Sequence, residues 1–253
     1  MRDRASLEAC GCFPTGRHYA GIAHLLRAVA RGLVEGLDAD ALWIALPVAL
    51  IDVETTGRDA SVDRVVEVGI AICRGGEIVE RRNWLINPGR PIPAEAMEVH
   101  KITDEQVKDA PLFEAVAREI ADAFAGCIPG AYNAAFDRAF LQNELARAGI
   151  AGDSLPASLR RDVEWIDPLV WARELHHEER SRALGEVAAR LGIALENAHR
   201  ASDDAEAALK VLLAFGRDPR IPGTYGALLR EQKRLAMDQA DERRLQRVSW
   251  RGG

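Results

Sequence analysis

The spacing of apolar residues changes character along the first third of the chain. Apolar residues recur every three to four positions from 18 to 37, which predicts an amphipathic helix. Residues 48–56 form a continuous apolar run that predicts a buried strand. The β-branched runs 64–72 and 78–86 predict two further strands. An Arg-Gly-Gly-Glu segment between these two runs is typical of a hairpin turn, so we expect them to pair antiparallel.

Helical periods alternate with short strands from residue 93 onward. Helices are predicted at 93–107 with a break near 102–104, then at 112–125, 135–148, 168–176, 182–192, 203–216 and 224–247. Short strands fit 127–133 and 165–167. Three leading strands followed by alternating helices and strands predict an α/β fold, in which a mixed five-stranded sheet carries helices on both faces.

Three regions follow from this layout, and their charges differ. Residues 1–47 are expected to be an N-terminal helical extension, 48–216 the central domain, and 217–253 a C-terminal helical tail. The whole chain has a net charge of −6, but residues 51–216 carry −10 and residues 217–253 carry +4. A basic tail suits contact with nucleic-acid phosphates, although a solvated amphipathic helix has the same composition.

Composition limits the class of protein. With 48% hydrophobic and 28% charged residues, the chain is expected to be globular and soluble. No apolar run approaches the roughly 20 residues of a membrane helix, so no membrane partner is expected. The four cysteines form no recognisable disulfide framework, which together with the absence of a signal-peptide pattern favours the cytoplasm. Cys10 and Cys12 are too few ligands for a structural zinc ion, and their role stays open.

Asp52 and Glu54 interrupt the first predicted strand. Side chains two residues apart on a strand point to the same face, and two carboxylates on one face are costly unless a positive charge lies between them. A divalent cation is the natural partner, because Mg²⁺ prefers hard oxygen ligands. The alternative is that both carboxylates are simply solvated at the end of the strand.

Further acidic residues are predicted near helix starts. Asp137 falls in the first turn of a helix that follows a short strand, and in open α/β sheets such strand ends are where sites form. Ser202 is a candidate N-cap, which would place Asp204 in the first turn of its helix and His199 in the preceding loop. Each acid could equally serve the helix dipole, and His199 could be an ordinary surface histidine.

Taken in order, these segments resemble the motifs of a known family. Asp52-Val-Glu-Thr-Thr-Gly57, Asn133-Ala-Ala-Phe-Asp137 and His199-x4-Asp204 are similar to the three motifs of the DEDDh exonucleases. These are the DnaQ-like type within the ribonuclease-H-like fold, to which proofreading exonucleases of bacterial DNA polymerase III belong. The resemblance covers roughly 48–216, including a family-like segment at 93–103. Tyr132 and Lys101 depart from the usual histidine and glycine, which leaves the substrate preference open.

The resemblance implies an activity and a set of roles. The expected activity is metal-dependent 3′→5′ hydrolysis of DNA, single-stranded or frayed, that releases nucleoside 5′-monophosphates. The implied cofactors are two Mg²⁺ or Mn²⁺ ions held by Asp52, Glu54, Asp137 and Asp204, with His199 as general base. The implied substrate-binding residues are Thr55, Thr56, Glu95, Ala96, Val99, His100, Asn133 and Phe136.

Two other functions stay open at the level of the sequence. One is an RNA 3′→5′ exonuclease of the RNase T or oligoribonuclease kind, since the fold can bind either sugar. The other is a non-catalytic nucleic-acid-binding subunit, in which the helices at 18–37 and 224–247 would dock partners. A polymerase contact or self-association through these terminal helices is compatible with an active enzyme as well.

Overall fold

One mixed sheet of four strands organises the molecule. The computed structural model describes residues 32–195 and 200–251, with side chains through residue 245. In chain order the strands are β1 (Val48–Thr55), β2 (Val65–Arg74), β3 (Glu77–Leu85) and β4 (Ile128–Gly130), and their order across the sheet is β3-β2-β1-β4. β1 pairs antiparallel with β2 and parallel with β4, and β3 is antiparallel to β2. The predicted hairpin turn is confirmed, with Gly75 and Gly76 both at positive φ.

Eight helices of the described chain surround this sheet. They are α1 (Ala94–His100), α2 (Asp104–Val107), α3 (Phe113–Asp122), α4 (Ala134–Arg147), α5 (Pro168–Leu175), α6 (Leu184–Arg190), α7 (Ala201–Phe215) and α8 (Tyr225–Arg251). Single 3-10 turns lie at Trp43–Ala45, Gly152–Ser154 and Ala157–Leu159. None of the helices in the described part of the chain is long and apolar enough to cross a membrane.

The predicted fold class is confirmed, but the count of five strands is wrong. The segment 165–167 contributes only an isolated parallel bridge between Ile166 and Gly130. Two features stop it from extending. Pro129 in β4 has no N–H to donate, and the Asp167 side chain accepts the Leu169 N–H at 2.9 Å to cap α5 at once.

Two local expectations at helix ends are also wrong. α7 begins at Ala201 after Arg200, so Ser202 is a residue of the first turn and not the N-cap. Residues 32–37 form turns rather than the end of a helix, because Gly32 and Gly36 adopt positive φ values of 94° and 89°. The rest of the helix predicted at 18–37, and Cys10 and Cys12, lie outside the described residues.

Alternate residues of β1 face two separate apolar clusters, which place helices on both faces of the sheet. Val48 and Leu50 pack into a cluster built largely with α5, α6, α7 and α8. Ala49, Ile51 and Val53 pack into a cluster built with α3 and α4. Because side chains alternate along a strand, Asp52 and Glu54 continue the row that faces α7.

Candidate active site

Three carboxylates meet where β1 approaches its C-terminal end. Asp52 and Glu54 come from β1, and Asp204 comes from the first turn of α7. One oxygen of each lies within 4.8 Å of the others. The structure therefore brings together three of the four acids that the motifs singled out.

Gly69 allows α7 to come this close to the sheet. Gly69 is paired with Asp52 in the register of β1 and β2. A Cβ atom at this position would lie 2.0 Å from the carbonyl carbon of Ala201 and 2.1 Å from the nitrogen of Ser202. The first turn of α7 thus occupies the space that a side chain would need, and Asp204 reaches the strand acids as a result.

Glu67 anchors the same helix start from the neighbouring strand. It is fully buried and lies opposite Glu54 in the β1–β2 register. Its carboxylate accepts hydrogen bonds from Arg200 Nη2 at 2.6 Å, from the Ala201 N–H at 3.0 Å and from Asn83 Nδ2 at 3.0 Å. Glu67 is therefore a structural acceptor that holds the start of α7. Arg200 escaped the sequence analysis, although a buried acid requires a partner of this kind.

Burial and mutual repulsion favour the protonated forms of the strand acids. Burial, and then the charges of Asp204 and Glu67, raise the pKa of Asp52 to about 8. Burial, and then the charges of Asp52 and Asp204, raise the pKa of Glu54 to about 9, against a smaller lowering by Arg200. Such a cluster favours a cation strongly, because a cation removes the repulsion that keeps protons on the acids.

Asp137 lies beside this cluster, and its side chain accepts a hydrogen bond from the backbone of β1. It is buried, and its Oδ1 accepts the Val53 N–H at 3.1 Å. Burial, followed by the nearby charge of Asp52, raises its pKa well above the ordinary value. Asp137 stands in the first turn of α4, whose start is fixed by the Asp167 carboxylate accepting the N–H groups of Asn133 at 3.0 Å and Ala134 at 3.1 Å.

His199 lies outside the described residues, between the described positions 195 and 200. Its role as general base stays a prediction from the sequence.

A cavity of about 680 Å³ opens beside Glu54, and we call it the terminal cavity. All eight residues predicted to bind substrate line it: Thr55, Thr56, Glu95, Ala96, Val99, His100, Asn133 and Phe136. Val53, Glu54, Gly57, Arg58 and Pro93 complete the lining. Val99 is 52% exposed, so its side chain is not part of the buried core. Of the additional residues, Arg58 carries a positive charge and no sequence motif pointed to it.

The donor set suits a hard divalent cation. Asp52, Glu54 and Asp204 offer only carboxylate oxygens, within a spacing that a single ion can bridge. The raised pKa values of Asp52 and Glu54 reflect burial and then the negative charge of the neighbouring acids. The mixed sheet with helices on both faces, together with this acidic cluster, defines an α/β protein with a candidate divalent-cation centre beside the terminal cavity.

Comparison with known proteins identifies the class more closely. The sequence model of the RNase_T family, described as exonuclease, matches residues 49–212, so the chain belongs to this family of exonucleases. This confirms the resemblance to DnaQ-like exonucleases in the ribonuclease-H-like superfamily. Membership makes the chain a nuclease domain, of a class that hydrolyses phosphodiester bonds.

Curated relatives are much longer than this chain. The PolC-type DNA polymerase III of Streptococcus suis is 31% identical over 214 residues, which cover 81% of this chain and 14% of the relative. The PolC-type DNA polymerase III of Streptococcus pneumoniae serotype 4 is 34% identical over 166 residues, which cover 66% of this chain and 11% of the relative. The match is therefore to one part of a large polymerase.

Solved structures share the fold. E. coli exonuclease I in complex with a dT13 oligonucleotide aligns with a TM-score of 0.61 at 21% identity, over 69% of this chain and 42% of that chain. Exonuclease X in complex with 5′ overhanging duplex DNA aligns with a TM-score of 0.54 at 23% identity, over 72% of this chain and 99% of that chain.

Proposed function

We propose that this protein removes nucleotides one at a time from the 3′ end of single-stranded or frayed DNA and releases nucleoside 5′-monophosphates. The observation that carries the proposal is the position of Glu54, which belongs to the carboxylate cluster and also lines the terminal cavity. A nucleotide in that cavity would present its 5′ phosphate to the cluster. This is the arrangement that cleavage of a terminal phosphodiester needs.

The cofactors we propose are two divalent cations, Mg²⁺ or Mn²⁺. Asp52, Glu54 and Asp204 would hold one of them, and Asp52 with Asp137 would support the second. When bound, such ions lower the pKa of water and offset the negative charge that develops on the phosphate. The clustering of the three acids within 4.8 Å supports the first part of this proposal.

His199 is the proposed general base. An imidazole has an ordinary pKa near 6.5, which suits proton transfer from water at neutral pH. The residue precedes Asp204 by five positions in the sequence, and the helix start between them is anchored by Glu67.

The terminal cavity is proposed to set the direction of cleavage. Backbone groups of Thr55 and Thr56 would approach the terminal nucleotide, and the Glu95 carboxylate would accept a hydrogen bond from its 3′-hydroxyl. Ala96, Val99, His100 and Phe136 would contact the base and sugar, while Asn133 would position the strand. A 3′-phosphate would place negative charge against Glu95, which favours a free 3′-hydroxyl end.

DNA is the favoured substrate over RNA. The related sequences carry the name of a DNA polymerase, and the structural neighbours were solved with DNA. These names support DNA only through similarity to other proteins. The experiment below therefore compares DNA with RNA.

A protein partner is also proposed. The PolC-type relatives contain their matching segment within a polymerase, which supports association of this chain with a replicative polymerase. The exposed second half of α8, with Met237 64% and Leu245 70% exposed, is the described surface that we propose for it. Light scattering on the purified protein would separate this from self-association, since only the latter doubles the mass.

The test uses 5′-labelled DNA and RNA strands of the same sequence. Each is incubated with Mg²⁺, with Mn²⁺ or with chelator, using the wild-type protein, Asp52→Ala, and Glu77→Ala as a control acid at the far end of the sheet. We expect a ladder that shortens from the 3′ end with metal, for wild type and Glu77→Ala alone. The ratio of DNA to RNA rates assigns the substrate. A folded wild-type protein that shortens neither strand would sink the proposal and revive a binding role.

A further inference from the structure

A second groove continues from the terminal cavity along the first half of α4. This groove, which we call the upstream groove, has a volume of about 560 Å³ and is lined by the loop at 58–61, by Asn133 and by the α4 residues Ala135, Phe136, Ala139 and Phe140. Arg58, Asn133 and Phe136 line both spaces. One path therefore leads from the carboxylate cluster past Phe136 and out along α4.

Arg58 supplies the positive charge on this path. It is the one arginine or lysine among the described residues that line the two spaces. Its side chain is exposed, and no hydrogen bond or ion pair to it is found within the described part of the chain. Asp59 lines the upstream groove too, but its Oδ1 accepts the N–H and the hydroxyl of Ser61 at 2.9 and 2.6 Å. The guanidinium is thus available to an anion from outside.

The loop that carries Arg58 is fixed against α4 before any ligand arrives. Asn143 Nδ2 donates to the Ala60 carbonyl at 2.8 Å, and Arg147 Nη2 donates to the carbonyls of Ala60 and Ser61 at 3.1 and 2.8 Å. At the start of the loop, a Cβ atom on Gly57 would lie 2.3 Å from the Asp63 carboxylate, so a larger residue there would displace the Asp63 side chain, which accepts the Asp59 N–H at 2.9 Å. A loop fixed in this way loses little entropy when it binds a ligand.

Phe136 separates the two spaces. Its ring is half-buried and packs on Phe140 with centroids 4.8 Å apart. Aromatic faces of this kind stack nucleic-acid bases without regard to sequence. A ring at the junction, next to an arginine, suits a strand whose last two bases lie on either side of it.

We propose that the upstream groove binds the nucleotide that precedes the terminal one, and that Arg58 pairs with the phosphodiester on its 5′ side. This inference rests on the proposed function. It predicts that the enzyme prefers strands of at least three nucleotides to dinucleotides. A dinucleotide has only the phosphodiester that is cut and offers Arg58 nothing. Digestion should therefore slow when a dinucleotide remains.

The test compares the oligothymidylates TpT and TpTpT, both with a 5′-hydroxyl, as substrates of the full chain. Release of thymidine 5′-monophosphate gives kcat and KM for wild type, Arg58→Ala, Arg58→Lys and Arg74→Ala. Arg74 is an exposed arginine at the opposite end of β2 and serves as the matched control. Because no hydrogen bond or ion pair to the Arg58 side chain is found within the described residues, the Arg58 variants should keep the wild-type Tm.

We expect wild type to prefer TpTpT by about tenfold in kcat/KM, the size of one charge-assisted contact. Arg58→Ala should lose this preference through KM, Arg58→Lys should keep part of it, and Arg74→Ala should match wild type. With longer strands, Arg58→Ala should also reduce the slope of log(kcat/KM) against log(salt concentration) by about 0.7, the value for one phosphate contact on a single strand.

Two results would contradict the inference while leaving the proposed function intact. In one, Arg58→Ala slows both substrates equally. In the other, the preference for TpTpT persists in that variant. If wild type cleaves no strand at all, the proposed function fails, and fluorescence anisotropy with labelled (dT)6 in chelator then decides the groove separately. Equal affinity of wild type and Arg58→Ala in that measurement would overturn it.

Discussion

Asp52, Glu54 and Asp204 are held within 4.8 Å of one another, although like charges at that distance repel. Folding tolerates this because the acids lie on rigid elements, two on β1 and one on the first turn of α7. The charges that the activity requires therefore destabilise the metal-free fold. Removal of one charge should lower the activity and raise the stability.

Asp52→Asn should abolish most activity yet stabilise the metal-free protein. The amide keeps the shape of the side chain and removes the charge that raises the pKa of Glu54. We expect a loss of roughly 10²- to 10³-fold in kcat, the usual effect of removing one electrostatic contact to the transition state. We also expect a higher Tm in chelator at pH 9, where the wild-type acids are largely ionised. Glu77→Gln, an exposed acid far from the cluster, should change neither quantity, and a lower Tm for Asp52→Asn would contradict the argument.

The raised pKa values predict how stability depends on pH in the absence of metal. The Asp52 carboxyl has an ordinary value of 3.8 and a folded value of about 8, and Glu54 moves from 4.5 to about 9. Between these limits the folded protein binds more protons than the unfolded chain, so the free energy of unfolding falls as pH rises. This stability is complete below about pH 4 and is lost as pH rises through 8 to 9.

Thermal unfolding in chelator between pH 5 and pH 9 checks this prediction. Tm should decrease across the range for wild type and decrease less for Asp52→Asn. Added Mg²⁺ should raise Tm more at pH 9 than at pH 6, because its ligands must be deprotonated. A Tm in chelator that is flat or rises with pH would show that the two acids are ionised without a cation.

Glu67 is predicted to act as a positioning residue through the start of α7. Glu67→Gln keeps one acceptor for the Ala201 N–H but leaves Arg200 without its ionic partner. We expect a loss of about 2 kcal/mol in the free energy of unfolding, since the acid is buried and its partner is half exposed. We also expect weaker Mg²⁺ affinity and a lower kcat with little change in KM. Glu67→Asp should restore part of both if charge is what matters.

A purely structural role for Glu67 predicts something different. Stability would fall while the Mg²⁺ affinity and the kcat of the folded fraction stayed at wild-type values. Isothermal titration with Mg²⁺ at a temperature where both proteins are folded separates these outcomes.

At the scale of the elements, the sequence predicted what local patterns control. β1, β2, β3 and their hairpin agree with the predicted ranges within two residues, because the apolar residues within each run and the glycines that follow β1 and β2 mark the strands locally. The segment 165–167 was also predicted from a local pattern but forms one bridge, because Pro129 in the neighbouring β4 lacks an N–H and Asp167 caps α5 at once. The limit that Pro129 sets lies in another strand and leaves no signal in the segment itself.

In the candidate site as well, the sequence predicted the residues that belong to local motifs and missed those that depend on contacts across the fold. The motifs identified the carboxylates and the residues lining the terminal cavity, because each lies at a fixed offset from a strand end or helix start. Arg200 and Arg58 were missed, since their importance depends on contacts across the fold, with Glu67 in one case and with the upstream groove in the other. The tight packing at Gly69 was invisible for the same reason.

Gly69→Ala should therefore disrupt the site more than its size suggests. The new methyl group would overlap the backbone of Ala201, so β2 and α7 must move apart. We expect a loss of about 3 kcal/mol in the free energy of unfolding, together with weaker Mg²⁺ binding as Asp204 moves away. Urea denaturation measures the first and calorimetric titration the second.

Gly185→Ala is the matched control for this substitution. Gly185 lies in α6, and a Cβ atom there would meet nothing within 4 Å. Alanine should raise the free energy of unfolding by about 0.5 kcal/mol through helix propensity and leave activity unchanged. If both variants behaved alike, the close approach of α7 to the sheet would not be what positions Asp204.

At the scale of the whole molecule, the two halves of α8 have different surroundings, because the first packs on the core and the described part of the second is largely exposed. Its first half packs into the same apolar cluster as β1, through Tyr225, Leu228, Leu229 and Leu235. Gln232 in this half accepts the Asp167 N–H and donates to the Trp165 carbonyl, both at 2.8 Å. Asp167 in turn fixes the start of α4, so the C-terminal helix supports the wall of the terminal cavity. From Asp241 to Leu245 every residue is exposed.

Two truncations test this division and the boundary that the sequence placed after residue 216. A chain that ends at Ala240 keeps every buried residue of α8 up to residue 245, the last whose side chain is described, and should retain the wild-type Tm and the wild-type kcat on short strands. A chain that ends at Gly216 loses five buried apolar side chains, worth about 1.5–3 kcal/mol each, against a total stability of about 5–15 kcal/mol for an ordinary domain. We expect it to show no cooperative thermal transition. A folded and active chain ending at Gly216 would instead make α8 an accessory to a domain that is complete without it.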